Sequence, residues 1–204
     1  MGKLIFRYGA MSSGKSLNLL NVNYNYTQNG SDVLIFKPSS DTRGIGVIST
    51  RLSEHLTAPC VTFEKNEDLF EKYLTLCSEN GKDYEVVLID ESQFITAKQA
   101  NQLARIAYEE KKTVIAYGLK VDFMGRPFEG SAQLISMAGN IEEIKTICEV
   151  CGRHKAIFPM LYIKGELIRD AKSNVVIDQG DDVKYVQVCG ECYFEILKKA
   201  HKNK

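Results

Sequence analysis

The sequence predicts an α/β protein: a P-loop parallel sheet flanked by helices, with a small C-terminal zinc-ribbon β subdomain carrying a long loop. Three observations predict it. Residues 9–16 read Gly-x-x-x-x-Gly-Lys-Ser, with an apolar run before them and a helix-compatible run after. Continuous apolar runs recur at 33–36, 86–89 and 113–118, separated by stretches of helical period, as expected of strands buried on both faces. Two CxxC pairs, Cys148 with Cys151 and Cys189 with Cys192, mark the last quarter. The expected division is a nucleotide-binding domain over 1–145 and a zinc-binding subdomain over 146–204.

Taken in order, the run before Gly9 is the first strand and 17–28 the first helix, closed by Asn29-Gly30. The apolar strand 33–36 opens into the polar loop Lys37-Pro38-Ser39-Ser40-Asp41-Thr42-Arg43. Loops at the carboxyl ends of parallel strands are where ligands bind. Residues 44–64 read as loop with short strands around 47–49 and 60–63. Leu69, Phe70, Tyr73, Leu74 and Cys77 recur at three- and four-residue steps and place a helix over 66–80, with Cys77 in its core face. The run Val86-Val87-Leu88-Ile89 ends in Asp90-Glu91. An amphipathic helix follows over 96–110, then a buried strand over 113–118, a loop through Phe128 and a helix over 133–139. In the last quarter, short strands are expected at 160–163 and 174–177, with a polar loop at 178–182 and a helix over 193–201.

The chemistry starts from the loop. Gly9 and Gly14 allow backbone shapes that a side chain would block, so the N–H groups of Gly9, Ala10, Met11, Ser12, Ser13 and Gly14 can turn toward phosphate oxygens. The helix that follows adds its positive end. Lys15 can reach the β- and γ-phosphates of ATP, and the Ser16 hydroxyl can ligate Mg²⁺. Asp90, at the end of an apolar strand, can also hold Mg²⁺, often through water. If Glu91 continues that strand, the two carboxylates face opposite sides and serve different roles. The bland alternatives are a Gly/Ser-rich turn and a strand capped by an acidic pair. Four cysteines on two knuckles complete a closed tetrahedral site of four sulfurs, which is structural and binds Zn²⁺. His154 and His201 read as surface residues.

Composition excludes several classes. Lys plus Arg equals Asp plus Glu at 26 each, so no basic excess points to nucleic acid. No run approaches the length of a membrane span and no signal-peptide core opens the chain, so no membrane partner and a cytoplasmic location are expected. Cysteine usage without such a signal favours metal binding over disulfides.

The P-loop, Asp90-Glu91-Ser92-Gln93-Phe94, the Gly118-Leu119-Lys120-Val121-Asp122-Phe123-Met124-Gly125-Arg126-Pro127-Phe128 stretch, Thr146-Ile147-Cys148 and the second CxxC with Tyr193 occur in this order. The chain thereby resembles the type II thymidine kinases over essentially its whole length. Tyr24-Asn25-Tyr26 adds similarity to their enterobacterial branch. The resemblance implies phosphoryl transfer from Mg-ATP to the 5′-hydroxyl of thymidine, a homotetramer and feedback inhibition by dTTP. It implies Glu91 as general base and Asp41, Arg43, Asp90 and Gln93 as further residues on the ATP side. It assigns Met11, Phe94, Leu119, Phe123 and Phe128 to a thymine pocket, and Val176, Gly180 and Tyr185 to a lasso loop that closes on the nucleoside.

Four features depart from the family pattern. Met124 stands where relatives often carry Arg. The lasso at 177–185 is longer than the usual Ile-Gly-Gly form. Phe158 and Met160 replace Thr or Val and Arg, and position 9 is Gly where the nearest branch often has Ser. A P-loop ATPase acting on nucleic acid through its zinc ribbon is the competing reading, and a regulator without catalysis is a second. The first would favour net positive charge, and the second would lack Lys15 or Glu91.

Overall fold

The computed structural model describes residues 2–42, 44, 46–50, 53–170 and 182–202. The chain first forms β1 (Lys3–Tyr8), α1 (Lys15–Gln28), β2 (Val33–Pro38), β3 (Val47–Thr50), β4 (Ser53–Pro59) and β5 (Val61–Phe63). It continues through α2 (Leu69–Asn80), β6 (Val86–Ile89), a 3₁₀ turn (Ser92–Phe94), α3 (Ala97–Tyr108), β7 (Thr113–Gly118), α4 (Glu129–Met137) and β8 (Asn140–Glu143). It ends with β9 (Phe158–Ile163), β10 (Glu166–Ile168), β11 (Val183–Val188) and α5 (Gly190–Lys202).

Six strands form one parallel sheet in the order β5-β2-β6-β7-β1-β8. Apolar residues on alternate positions of each strand feed two separate cores. Val87 and Ile89, with Leu4, Phe6, Leu34, Phe36, Val114 and Ala116, pack against α2, α3 and α4. Val86 and Leu88, with Ile35, Ile115 and Tyr117, pack against Leu19 and Leu20 of α1 and against Ile48 and Ala58 of the β3–β4 hairpin. Burial on both faces is why these strands read as unbroken apolar runs. The helices have defined ends. Asp68 caps α2 by accepting from the N–H groups of Phe70 and Glu71, and Gly81 closes it in the left-handed conformation. Thr96 and Gln99 form a reciprocal capping box on α3.

The second sheet is antiparallel, in the order β10-β9-β11. It shares a third core with the cysteine knuckles and α5, through Met160, Val188, Tyr193, Ile196 and Leu197. Phe158 stacks on Tyr193 at 4.4 Å, and Met160 is fully buried there. These two departures from the family pattern therefore fill the core of the subdomain.

Several expectations shift. Helix α1 starts at Lys15, so Lys15 and Ser16 already lie on its first turn. Helix α4 begins at Glu129 and not at 133, and α5 begins at Gly190 and not at 193. Strands β4, β8, β10 and β11 were not expected. β8 is an edge strand, Asn-Ile-Glu-Glu, paired only with β1, so nothing selects an apolar run there. The strand expected at 174–177 lies outside the described residues. Tyr185 lies in β11, paired with Leu161, and not in a loop. No helix among the described residues is long and apolar enough to cross a membrane.

Candidate active site

The candidate site lies at the carboxyl ends of β1, β6 and β7, three neighbouring strands of the sheet. β7 runs between the strand that carries the P-loop and the strand that carries the carboxylates. It ends in Gly118, whose carbonyl accepts from Gly9 N–H at 3.2 Å. A Cβ at Gly118 would stand 2.5 Å from Ser92 Oγ and 2.9 Å from Gln93 Oε1. The missing side chain is what lets the 3₁₀ turn approach the P-loop side.

Within the P-loop, Ser12 and Gly14 take positive φ, at 59° and 85°. Gly9 is not in the left-handed region. It is needed for space, because a Cβ there would lie 2.4 Å from Ile144 O and 2.5 Å from Ser13 Oγ. The Lys15 ammonium is buried and folds back to donate to Ala10 O at 2.8 Å and Gly9 O at 3.3 Å. The Met11 N–H donates to Gln187 Oε1 at 3.1 Å, so it faces β11. Ser16 Oγ donates to Asp90 Oδ2 at 3.2 Å.

Asp90 is buried at 4% exposure. Burial first, then the charge of neighbouring Glu91, pushes its carboxyl up to about 7, against the pull of Glu91 N–H, Lys15 and Ser16. Its second oxygen, Oδ1, has no hydrogen-bond partner among the described residues. A hydroxyl, a paired carboxylate oxygen and an unpaired one form an oxygen set that fits Mg²⁺. Glu91 lies beyond the end of β6 with φ 48° and ψ 40°. A sharp turn therefore separates the two carboxylates, and strand alternation does not. Gln93 Nε2 donates to Glu91 Oε2, while Gln93 Oε1 accepts from Leu119 N–H at 3.1 Å. Gln93, expected on the ATP side, thus joins the Glu91 carboxylate to the loop after β7.

That loop is built on Asp122. Its Oδ1 accepts from Met124 N–H and Arg126 N–H, both at 2.9 Å, and Gly125 supplies φ 74°. The turn buries Phe123 and Phe128. Phe128 meets Phe94 edge to face at 6.4 Å, and Phe123 meets Tyr185 at 6.5 Å. Leu119 shares this loop with Phe123 and Phe128, which thereby meet Tyr185 of β11 and Phe94 of the 3₁₀ turn.

Asp41 points at Lys37, with Nζ to Oδ2 at 3.1 Å, and Lys37 also donates to Gly44 O at 3.1 Å. Both side chains are nearly buried, at 2% and 8% exposure. Lys37, a cation ending an apolar strand run, is thus the buried partner of Asp41. Arg43, Val176 and Gly180 lie outside the described residues.

The sulfurs of Cys148, Cys151, Cys189 and Cys192 all lie within 4.8 Å of one another. Cys151 Sγ and Cys189 Sγ are 3.9 Å apart. Ligands at Zn–S bond length in a tetrahedron stand about 3.8 Å apart, so this set fits Zn²⁺. Backbone N–H groups of His154 and Arg153 point at Cys151 and hold its thiol down to about 6, which favours the thiolate ligand. Between the cysteines of the first knuckle, Glu149 grips β11: its N–H donates to Gln187 O at 2.9 Å, and its Oε1 accepts from Gln187 N–H at 3.0 Å.

A family model described as thymidine kinase matches residues 2–193. The chain is 37% identical to a thymidine kinase of Chromobacterium violaceum over 194 residues, 95% of this chain and 98% of that protein. It is 41% identical to one from Francisella tularensis subsp. tularensis over 193 residues, 93% of this chain and 95% of the relative. It is 36% identical to the thymidine kinase of Enterobacteria phage T4 over 200 residues, 98% of this chain and 99% of the relative.

Proposed function

The chain belongs to the thymidine kinase family, and from that premise we propose that it transfers the γ-phosphoryl group of ATP to the 5′-hydroxyl of thymidine, with Glu91 as general base. The observation that carries the residue assignment is the convergence of Ser16 and Asp90 at 3.2 Å, with Glu91 one residue on and tied by Gln93 to the loop bearing Leu119 and Phe123.

The roles follow from the groups present. The P-loop N–H groups that remain turned inward hold phosphate oxygens. Lys15 now satisfies two loop carbonyls, and on ATP binding exchanges them for β- and γ-phosphate oxygens. Ser16 and Asp90 would hold Mg²⁺, which neutralises charge on the phosphates. Phe94, Phe128 and Phe123 offer flat apolar walls to a base, with Tyr185 against Phe123, and the family resemblance adds Met11. The 5′-oxygen bonds to the γ-phosphorus as the bond to the β,γ-bridging oxygen breaks, and the hydroxyl proton passes to Glu91. Cys148, Cys151, Cys189 and Cys192 would hold a structural Zn²⁺ that stabilises the knuckles.

The reading extends to the division at 145/146, and to contacts of Val176, Gly180 and Arg43 with substrates. It also takes in a homotetramer, feedback inhibition by dTTP and no nucleic-acid substrate, all on the family resemblance. A cytoplasmic location suits a reduced four-thiolate site. The test is a panel of nucleosides and single-stranded DNA with Mg-ATP, reading ADP release and the phosphorylated product. Thymidine should stimulate release and yield dTMP. Stimulation by DNA and not by any nucleoside would overturn the reading.

A further inference from the structure

Gln187 lies on β11 two residues after Tyr185, so both side chains leave the same face of the strand. Tyr185 meets Phe123 of the proposed base pocket, and Gln187 reaches Met11 of the P-loop. The side chain is 3% exposed. Its Oε1 accepts from Met11 N–H, and a backbone N–H can only face an acceptor, so the amide orientation is fixed. Nε2 is then left buried with no partner among the described residues. The main chain cannot turn it away, because Glu149 holds Gln187 N–H and C=O from one side.

Among the described residues, the other buried side-chain polar atoms without a partner are Ser13 Oγ, Asp90 Oδ1 and Ser92 Oγ. All lie at the candidate site: Ser13 in the P-loop, Asp90 at the carboxylates and Ser92 on the turn beneath Gly118. Unpaired buried groups are rare in folded proteins, and several gathered at one site point to something bound there, a ligand, an ion or ordered water. For Gln187 the ligand atom must be an acceptor. The neutral amide has no charge to offset a phosphate's, and Tyr185 on the same face of the strand meets Phe123 of the proposed base pocket, so a carbonyl oxygen suits it better than a phosphate.

We propose that Gln187 is a specificity-determining residue whose Nε2 donates a hydrogen bond to a carbonyl oxygen of the bound pyrimidine. This rests on the thymidine reading above. The test compares thymidine with 2-thiothymidine and 4-thiothymidine in the wild type, Gln187→Met and Gln187→Glu. Sulfur accepts weakly, so the wild type should disfavour one thio-analogue by about tenfold in kcat/KM, the worth of one good hydrogen bond. Gln187→Met should erase that preference and raise the KM for thymidine by about the same factor. Gln187→Glu keeps an acceptor for Met11 N–H but loses the donor. It should lose the preference as Gln187→Met does, at some cost in melting temperature for a buried carboxyl, whereas a merely structural Gln187 would leave the thio-preference intact in both variants. If the thio-preference is the same in all three proteins, or absent in the wild type, the proposal is wrong although thymidine turnover stands. If the wild type does not phosphorylate thymidine, both readings fall.

Discussion

Asp90→Asn should make the protein more stable and less active at once. Asp90 is buried at 4% exposure, one of its oxygens has no partner among the described residues, and its carboxyl is pushed up to about 7 from a usual value of 3.8. Raised above its unfolded value, the carboxyl binds its proton more tightly in the folded state. Below pH 3.8 both states are protonated and nothing is lost. As pH rises toward 7 the unfolded chain ionises first and stability falls, and above 7 the penalty is constant. At about 1.4 kcal/mol per pH unit the whole gap is worth about 4 kcal/mol. The asparagine amide must itself be buried where one oxygen has no partner, so the substitution should return only about 1–3 kcal/mol of this. For a chain of this size, each kcal/mol moves the melting temperature by about 2–4 °C. Differential scanning fluorimetry of the metal-free protein from pH 4 to 8 reads this directly. Asp90→Asn should melt several degrees above wild type at pH 8, with the gap closing toward pH 4. Added Mg²⁺ with ATP should stabilise the wild type more than the variant, while phosphoryl transfer falls in the variant. A variant that melts at or below wild type at pH 8, or a gap that does not depend on pH, would refute the reasoning.

Three further outcomes are expected. Lys15→Ala should lower kcat by orders of magnitude, because the γ-phosphate loses its side-chain cation; full activity in the coupled ADP assay would reduce residues 9–16 to a turn. Glu91→Gln should lower kcat by about 10²–10⁴-fold with KM values largely kept, and near-normal kcat beside a dead Asp90→Asn at all Mg²⁺ levels would reverse the two carboxylates. Metal analysis of reduced protein should find about one zinc per chain, and Cys189→Ser should loosen the C-terminal sheet, read by hydrogen exchange, before ATP binding weakens.

The parts of this molecule legible in the sequence are those with a local cause. Apolar runs buried on both faces announced β2, β6 and β7, and the Gly-Lys-Ser and CxxC spacings announced two knuckle geometries. What escaped notice depends on partners distant in the chain. β11 reads Val-Lys-Tyr-Val-Gln-Val, rich in strand formers and so locally legible, but its pairing with β9 and the side its Tyr185 and Gln187 face are set by residues distant in the chain. Lys37 looked like the start of a loop until Asp41 turned back on it. Gln187 had no motif at all; its meaning comes from Met11, far away in sequence. The turn at Glu91 was also invisible, because a positive φ at a glutamate leaves no trace in composition.

The bare α-carbon at the end of β7 also makes position 118 a genetic weak point. Any other amino acid there drives its first carbon into the Ser92 hydroxyl and the Gln93 amide. Displacing Gln93 frees the Glu91 carboxylate and the Leu119 amide together. Selection with a thymidine analogue that becomes toxic on phosphorylation should therefore return alleles at Gly118 alongside those at the P-loop. Such alleles would leave every catalytic side chain in the gene intact, and a survey of catalytic residues alone would pass over them.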